Sequence, residues 1–320
     1  MADTHRQRFI KALRREPVEG HVPQFELVFF LTMEAFGKVH PSHRFYEQWN
    51  QMSYEEQKLQ IEDMADIYIK TAQRYNHDAI FVHPNPGGLE ETKWLLETIR
   101  EKTGDEYYIM MHGDTTVGIP DGESMMDFTV KMFEDPDSIH DQQNRWQEAA
   151  EKRASALAGT GLLDGFALCS DYAFNVNPFF SPDTFAELVA PHLKTCIDTY
   201  HELGYYVIKH SDGNLNPILD QIVDCGPDAL HSIDPQGHMS LTEIRKKYGH
   251  RVCTIGNVNC GLLQTGTDEE AAADVRRCLK EGMDGNYGFI FSTSNCVYTG
   301  LPLRRYELMQ KIWREEAIYR

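Results

Sequence analysis

The chain of 320 residues has few basic side chains: 31 Lys and Arg stand against 49 Asp and Glu, for a formal charge of -18. A surface with this excess of negative charge repels phosphate groups, so we expect no nucleic-acid partner and no binding to anionic membranes. The sequence also lacks an apolar run long enough to span a bilayer. Its first 17 residues are polar and do not have the apolar region of a secretory signal.

Cysteine motifs are absent as well. The seven cysteines are scattered and none forms a CxxC pair, which is typical of reduced, buried thiols and predicts a cytoplasmic protein. No GxGxxG sequence opens the first predicted strand-to-helix turn, and this disfavours a dinucleotide-binding sheet.

What the sequence does contain is a regular alternation of apolar, β-branched runs with helical patterns, which predicts βα units and a parallel sheet. Eight strands followed by helices favour a closed (β/α)8 TIM barrel over an open sheet. We therefore predict one catalytic domain over 1–320, with an N-terminal helix and a long connection at about 115–163 that holds two helices. The predicted strands are 22–29, 79–84, 107–114, 164–171, 205–212, 229–236, 252–259 and 288–295.

Seven of the eight predicted strands end in polar side chains, although buried strands need only ordinary turn residues at their ends. A barrel gathers these ends on one rim, where the reactive groups of such enzymes are located. For Asp114, Asp234 and Asn257, capping of the next helix is an equally good explanation. The residues are His83, His112, Asp114, Asp171, His210, Asp212, Asp234, Asn257, Asn295 and Cys296.

The densest polar group is His210-Ser211-Asp212-Gly213. His210 and Asp212 are two residues apart on a predicted strand, so their side chains face the same side. An imidazole and a carboxylate in this arrangement suit general acid–base chemistry or a divalent metal. The alternative is a hydrogen-bonded pair that only shapes the loop. Gly213 would let the chain or a ligand approach the strand end closely.

Several segments resemble the uroporphyrinogen decarboxylase superfamily, which also contains cobamide-dependent methyltransferases. The resemblance covers almost the whole chain and implies the same barrel. The similar segments are LRREPVEGHVP (13–23), SPDTF (181–185), GYYVIKHSDGN (204–214), KKYG (246–249), IGNVN (255–259) and FSTSNCVYTGLP (291–302).

Departures from the decarboxylase pattern argue against decarboxylation. The decarboxylases bind a polycarboxylate through arginines after the first strand, whereas this chain has PQFELVFFL at 23–31, with Glu26 and no arginine. Their catalytic aspartate ends the second strand, where this chain has His83-Pro84. The resemblance therefore favours the methyltransferase branch, in which a small methyl donor gives its methyl group to a corrinoid held by a partner protein.

The resemblance also suggests two arrangements for a zinc ion. Thiol-activating members bind zinc through HxC and a later Cys; here those positions read His210-x-Asp212 and Asn295, with Cys296 one residue later. Members that demethylate aryl methyl ethers resemble one another in an E-x14-E-x20-H pattern, which this chain matches at Glu47, Glu62 and His83.

These patterns give a set of expected roles. His210, Asp212, Asp171 and Asn295 are the expected catalytic residues, and zinc is expected at Glu47, Glu62 and His83 or else at His210 and Asp212. The expected substrate contacts are Glu26, Phe29, Tyr172, Asn257 and Cys296. The first expected donor is a methoxylated aromatic, because a Lewis or general acid at the ether oxygen offsets its poor leaving group.

Other functions remain open from the sequence. The chain could use another methyl donor, such as a methylamine or thioether, or act as a decarboxylase-like lyase. A different class is a non-catalytic barrel that binds a corrinoid or tetrapyrrole. A homodimer is possible.

Overall fold

The computed structural model describes residues 3–319 and contains alternating helices and strands. The helices are α1 (His5–Leu13), α2 (Thr32–Phe36), α3 (Tyr54–Tyr75), α4 (Leu89–Thr103), α5 (Met125–Glu134), α6 (Pro136–Leu157), α7 (Pro182–Leu188), α8 (Ala190–Glu202), α9 (Leu219–Asp224), α10 (Leu241–Tyr248), α11 (Cys260–Thr265), α12 (Asp268–Gly282) and α13 (Leu303–Glu316). The strands are β1 (Gly20–His21), β2 (Ala79–Val82), β3 (Tyr108–His112), β4 (Gly165–Leu168), β5 (Tyr206–His210), β6 (Ala229–His231), β7 (Cys253–Val258), β8 (Phe289–Thr293) and β9 (Ile318–Tyr319).

Seven parallel strands form the barrel wall in the order β2-β3-β4-β5-β6-β7-β8. The segment predicted as the first strand, 22–29, is irregular but fills the gap between β8 and β2. Gln24 and Phe29 make isolated parallel bridges to Phe291 and Val297, and the Asp78 N–H donates to the Gln24 carbonyl at 2.7 Å. The (β/α)8 barrel is therefore confirmed, whereas a regular first strand over 22–29 is wrong. The short β1 instead pairs antiparallel with β9.

The barrel interior and the helix layer form two apolar clusters. Alternate residues of the strands, such as Phe81, Met110 and Ile208, fill the interior, and the intervening residues pack outward against the helices. Helix α1 covers the N-terminal end, where the Phe9 ring lies 4.6 Å from that of Tyr108. With the bottom closed, the C-terminal rim is the open end of the barrel.

Helix starts follow the local sequence signals. Ser53 and Thr267 form complete capping boxes with Glu56 and Glu270. The predicted long connection after β3 contains α5 and α6. No helix within residues 3–319 combines the length and apolar character needed to cross a membrane.

Candidate active site

Asp171, His210 and Asp212 converge at the C-terminal rim. His210 ends β5 and Asp171 follows β4. Because β4 and β5 are neighbouring parallel strands, both side chains lie on the same part of the rim. The His210 Nε2 atom lies 3.7 Å from the Asp171 Oδ1 atom and 3.9 Å from the Asp212 Oδ1 atom. One ligand atom from each residue lies within 4.8 Å of the others, and no second such His/Cys/Asp/Glu triad occurs in residues 3–319.

The loop after β5 is held in place by close backbone contacts. Gly213 has a φ of +82°, and a Cβ atom there would meet the Ala173 carbonyl oxygen at 2.4 Å. Only glycine tolerates both the conformation and the contact. The Asp212 N–H donates to Asp171 Oδ1 at 2.9 Å, and the Gly213 N–H donates to Asp234 Oδ2 at 3.2 Å. The predicted role of Gly213 in a close approach is thus confirmed, with the chain itself as the approaching group.

Asp212 is oriented from two further sides. The Ser232 hydroxyl donates to Asp212 Oδ1 at 2.7 Å, and the Asn295 side-chain amide donates to Asp212 Oδ2. Asn295 in turn accepts a hydrogen bond from the Cys296 N–H at 2.6 Å. Asn295 therefore contacts the triad through its hydrogen bond to the Asp212 carboxylate. The Cys296 thiol is not part of the triad.

Burial and crowding change the pKa values of the triad. Burial raises the pKa of Asp212 to about 7, with a further contribution from the nearby Asp171. Burial also raises the pKa of Asp171. The pKa of His210 is lowered to about 3, first by burial and then by Lys209. Two carboxyl groups that resist ionisation beside a neutral imidazole form a site that a cation would stabilise.

Replacement of Asp212 by Asn should stabilise the metal-free protein at high pH. Because the pKa of Asp212 is raised from the usual Asp value to about 7, folding favours its protonated form, and the wild type loses stability as the pH rises from about 4 to 7. Asp212→Asn removes this loss, which is at most about 4 kcal/mol above pH 7. Urea unfolding in EDTA at pH 4.5 and pH 8 measures the difference.

The control for this measurement is Asp141→Asn, which changes an exposed carboxylate on α6. It should shift the stability little at either pH. An Asp212→Asn variant that gains no more stability at pH 8 than at pH 4.5 would show that the ionised Asp212 carboxylate does not destabilise the folded protein.

A second polar pair lies on the neighbouring strands of the rim. The Nε2 atoms of His83 and His112 are 3.0 Å apart, and the buried Nδ1 atom of His83 has no hydrogen-bond partner. The pKa of His83 is lowered to about 3, mainly by burial and then by His112. Phe81 lies beneath both rings, at 4.8 Å and 4.6 Å between centroids. These histidines give the rim a neutral imidazole face.

The predicted metal ligands Glu47, Glu62 and His83 do not come together. Glu47 is exposed on the loop after α2, and Glu62 faces solvent on α3, where it forms an i,i+4 pair with Lys58 at 4.0 Å. The three residues do not form a ligand group in the described chain. That arrangement is corrected: the two glutamates lie on solvent-facing surfaces that cannot converge on the rim.

Four of the predicted substrate contacts are also corrected, because the structure buries them. Phe29 is 5% exposed and packs between Tyr75 and Tyr306. Tyr172 is fully buried, and its hydroxyl is paired with that of Thr116 at 2.6 Å.

The other two corrected residues use their polar atoms inside the protein. Asn257 donates to the Ile233 carbonyl at 2.8 Å and accepts from Arg277 at 3.1 Å. Glu26 is 5% exposed, and its Oε2 atom accepts from Thr293. Neither side chain is free to bind a substrate.

The sequence prediction missed His231, which lies beneath His210 in the barrel. Its Nδ1 atom is 2.7 Å from that of His210, and it is 2% exposed. One signal was present: His231 is two residues after the interior residue Ala229 on a predicted strand, so the two side chains share a face. Ser232, which orients Asp212, has a φ of +85°. The alternation of apolar and polar residues along the sequence does not predict such an irregular backbone conformation.

A search of proteins of curated function gives no match. The family described as "Uroporphyrinogen decarboxylase (URO-D)" matches residues 122–315, more than half of the chain. The matched range includes Asp171, His210, Asp212 and Asn295.

Among solved structures, a methyltransferase from Methanosarcina mazei is similar with a TM-score of 0.73 and 20% identity over 98% of both chains. A putative vitamin-B12-independent methionine synthase from Listeria monocytogenes gives a TM-score of 0.53 at 11% identity, over 92% of this chain and 96% of the other. A GH5_18 protein from Streptomyces cattleya gives a TM-score of 0.53 at 12% identity, over 93% and 82%. At these identities the likeness concerns the fold.

Proposed function

The chain belongs to the uroporphyrinogen decarboxylase family, and on that premise we propose that it is a methyltransferase. It moves a methyl group from a small donor, with a methoxylated aromatic as the first candidate, to the cobalt of a corrinoid held by a partner protein. The observation that supports this most is the Asp171, His210 and Asp212 triad at the open end of the barrel.

The triad fits a divalent metal ion such as zinc. Two ligands each about 2.1 Å from a tetrahedral ion are about 3.4 Å apart, close to the 3.7 and 3.9 Å separations from His210 Nε2. Imidazole nitrogen and carboxylate oxygen are accepted zinc ligands, and the absence of a thiolate from the triad favours acid catalysis over thiol activation. Asn295 and Ser232 supply the outer hydrogen bonds that ligating carboxylates need.

In the proposed reaction, a metal at the triad would act as a Lewis acid on the heteroatom that loses the methyl group. His210 presents Nε2, while Asp171 and Asp212 face it from the neighbouring loops. Asn295 keeps Asp212 in this orientation. The His83 and His112 rings, with Phe81 below them, form the imidazole face of the rim and can contact a flat donor.

Apolar side chains beside the triad suit the proposed partner protein. In the loop after β4, Phe174 is 48% exposed and Val176 is 72% exposed. The Phe174 carbonyl accepts a hydrogen bond from the Asn214 N–H at 2.9 Å, so this loop adjoins the His210-to-Asn214 segment. Exposed apolar groups next to a reactive site are typical of a surface that binds another protein.

Decarboxylation of a porphyrinogen is not proposed. The segment 23–31 has no arginine, and its only acidic residue, Glu26, is buried and hydrogen-bonded to Thr293. Such a segment offers no cation for the carboxylates of a porphyrinogen.

A second candidate donor is a methylated ammonium or sulfonium compound. Burial raises the pKa values of Asp171 and Asp212, so a cation placed beside them would stabilise their charged forms. A cationic donor would provide one directly and, as a good methyl donor, would not need a Lewis acid.

Methyl transfer to free cob(I)alamin tests the proposal and separates the two donors. The protein is treated with EDTA, reloaded with zinc, and assayed with a methoxyphenol and with a tetramethylammonium salt. For the aryl ether we expect loss of turnover in EDTA and recovery on adding about one zinc per chain, because the triad would bind one ion. Turnover of the ammonium salt alone, insensitive to EDTA, would select the second candidate. Tight corrinoid binding without turnover of either compound would contradict methyl transfer.

A further inference from the structure

A continuous row of buried hydrogen bonds leads from His210 into the barrel wall. His210 Nδ1 lies 2.7 Å from His231 Nδ1, and His231 Nε2 lies 3.3 Å from the Ser292 hydroxyl. Ser292 contacts Glu26 Oε2 at 3.2 Å. All four residues are at most 5% exposed, so solvent hardly competes for these hydrogen bonds.

The hydrogen bonds at Glu26 give this row a direction. The Thr293 backbone N–H can only donate, and it donates to Glu26 Oε2 at 3.2 Å. The Thr293 hydroxyl contacts the same oxygen at 2.6 Å. Burial raises the pKa of Glu26 to about 8, so the carboxyl group carries one proton near neutral pH. The Thr293 hydroxyl also contacts the Asn295 carbonyl at 3.0 Å, so it can donate there and accept the Glu26 proton. Oε2 still accepts from the Thr293 N–H, and the Ser292 hydroxyl uses its one hydrogen to donate to it.

The donor and acceptor roles of the two histidines follow from that of Ser292. Because Ser292 donates to Glu26, its oxygen accepts from His231 Nε2–H. A neutral imidazole has one N–H, so His231 Nδ1 is left with a lone pair and accepts from His210 Nδ1–H. His210 Nε2 consequently has a free lone pair, directed at the space between Asp171 and Asp212.

We propose that Ser292 and Glu26, acting through His231, are positioning residues that fix the tautomer of His210 with its lone pair on Nε2. This inference deepens the proposed function, on which its catalytic meaning rests. Ligating histidines commonly donate their other N–H to a fixed partner, and loss of such a partner costs about 10- to 100-fold in metal affinity or activity. Here that partner is a second histidine, His231, whose own tautomer is set by the Ser292 hydroxyl and the Glu26 carboxyl group.

The main test compares Ser292→Ala with Ser292→Thr in protein labelled with nitrogen-15 histidine and kept free of metal. The His210 signals are assigned by their absence from His210→Gln. We expect wild type and Ser292→Thr to show the Nδ1–H tautomer of His210, and Ser292→Ala to show a mixture. The zinc dissociation constant should rise about 10- to 100-fold in Ser292→Ala and return towards wild type in Ser292→Thr.

Glu26 gives a second, independent pair of variants. Glu26→Gln keeps an amide oxygen for the Thr293 and Ser292 donors, so it should retain the wild-type tautomer. Glu26→Leu removes the acceptor and should give the mixture seen with Ser292→Ala. Unfolding curves check that each variant is folded, and wild-type tautomers in both Ser292→Ala and Glu26→Leu would overturn the proposal.

These readouts separate the positioning role from the proposed methyl transfer. A tautomer shift in a protein that transfers no methyl group would leave the positioning role standing and refute the function. Methyl transfer in a protein whose His210 tautomer does not change in the Ser292 and Glu26 variants would support the function and refute the positioning role.

Discussion

His210→Asn should reduce zinc affinity and methyl transfer by more than about 100-fold, since even the loss of an outer hydrogen bond to a ligand costs about 10- to 100-fold. The asparagine amide is placed where the imidazole Nδ1 atom lies, so the contact with His231 at 2.7 Å can be kept. What disappears is Nε2, the atom that faces Asp171 and Asp212. The variant therefore removes the ligand atom and preserves the buried packing.

Two further variants make this result specific. His210→Gln places an amide near the position of Nε2 but gives up the contact with His231, so it should retain part of the zinc affinity. His192→Asn removes a ring from a histidine pair on the outer helices, where His192 Nε2 lies 2.7 Å from His140 Nδ1. This control should match wild type in both assays. The measurements are zinc titration and the initial rate of methyl transfer to cob(I)alamin.

The prediction fails if His210→Asn is folded and retains wild-type zinc affinity. A variant that loses zinc but keeps full turnover of a cationic donor would instead support the metal-free alternative. Equal losses in His210→Asn and His192→Asn would indicate a general effect of histidine removal.

Part of the triad was predictable from the direction of the strands. In a parallel barrel every strand ends on the same rim, so His210 at the end of β5 and Asp171 just after β4 were expected to lie close together. The position of Asp212 was predicted from alternation on a strand that extends to 212, but β5 ends at His210. Asp212 lies in the following loop, where hydrogen bonds from Ser232 and Asn295 orient it, and the sequence does not show that loop conformation.

Burial near the strand ends was less predictable. Asp114 and Asp234 follow strands as Asp171 does, and Asn257 lies near the end of β7. Asp234 accepts from the Gln236 N–H at 2.9 Å as a cap, and Asn257 donates to the Ile233 carbonyl and accepts from Arg277. Whether a polar residue at a strand end faces the rim or the chain depends on loop conformation. Alternation does not specify that conformation.

The irregular first strand caused further errors. Glu26 and Phe29 were predicted as substrate contacts in the segment of the predicted first strand, 22–29. The segment makes only isolated bridges, to Phe291 in β8 and to Val297 beyond it, and the Phe29 ring packs against Tyr75 of α3. The spacing from Glu47 to Glu62 to His83 likewise relates positions along the chain, whereas the exposed face of α3 directs Glu62 away from His83.

A buried ion pair between Lys209 and Asp114 lies beneath the triad, and we expect its loss to reduce stability. Lys209 is 2% exposed, and its Nζ atom donates to Asp114 Oδ2 at 3.0 Å and to the Ser170 carbonyl at 2.8 Å. Burial by itself would raise the pKa of Asp114, but Lys209 and hydrogen bonds from Thr116 and Ser170 outweigh it and lower the pKa. Asp114 is therefore a charged group that depends on its partner.

Lys209→Met should lower the free energy of unfolding by about 3–5 kcal/mol, because it leaves a buried carboxylate unpaired. The same change at Lys194, whose exposed i,i+4 pair with Asp198 spans 2.8 Å, should cost less than about 1 kcal/mol. Urea unfolding at pH 8 compares the two variants, and equal losses would contradict a buried pair. Since Ser170 precedes Asp171, Lys209→Met should also weaken zinc binding, and this weakening links the stability of the barrel wall to the geometry of the triad above it.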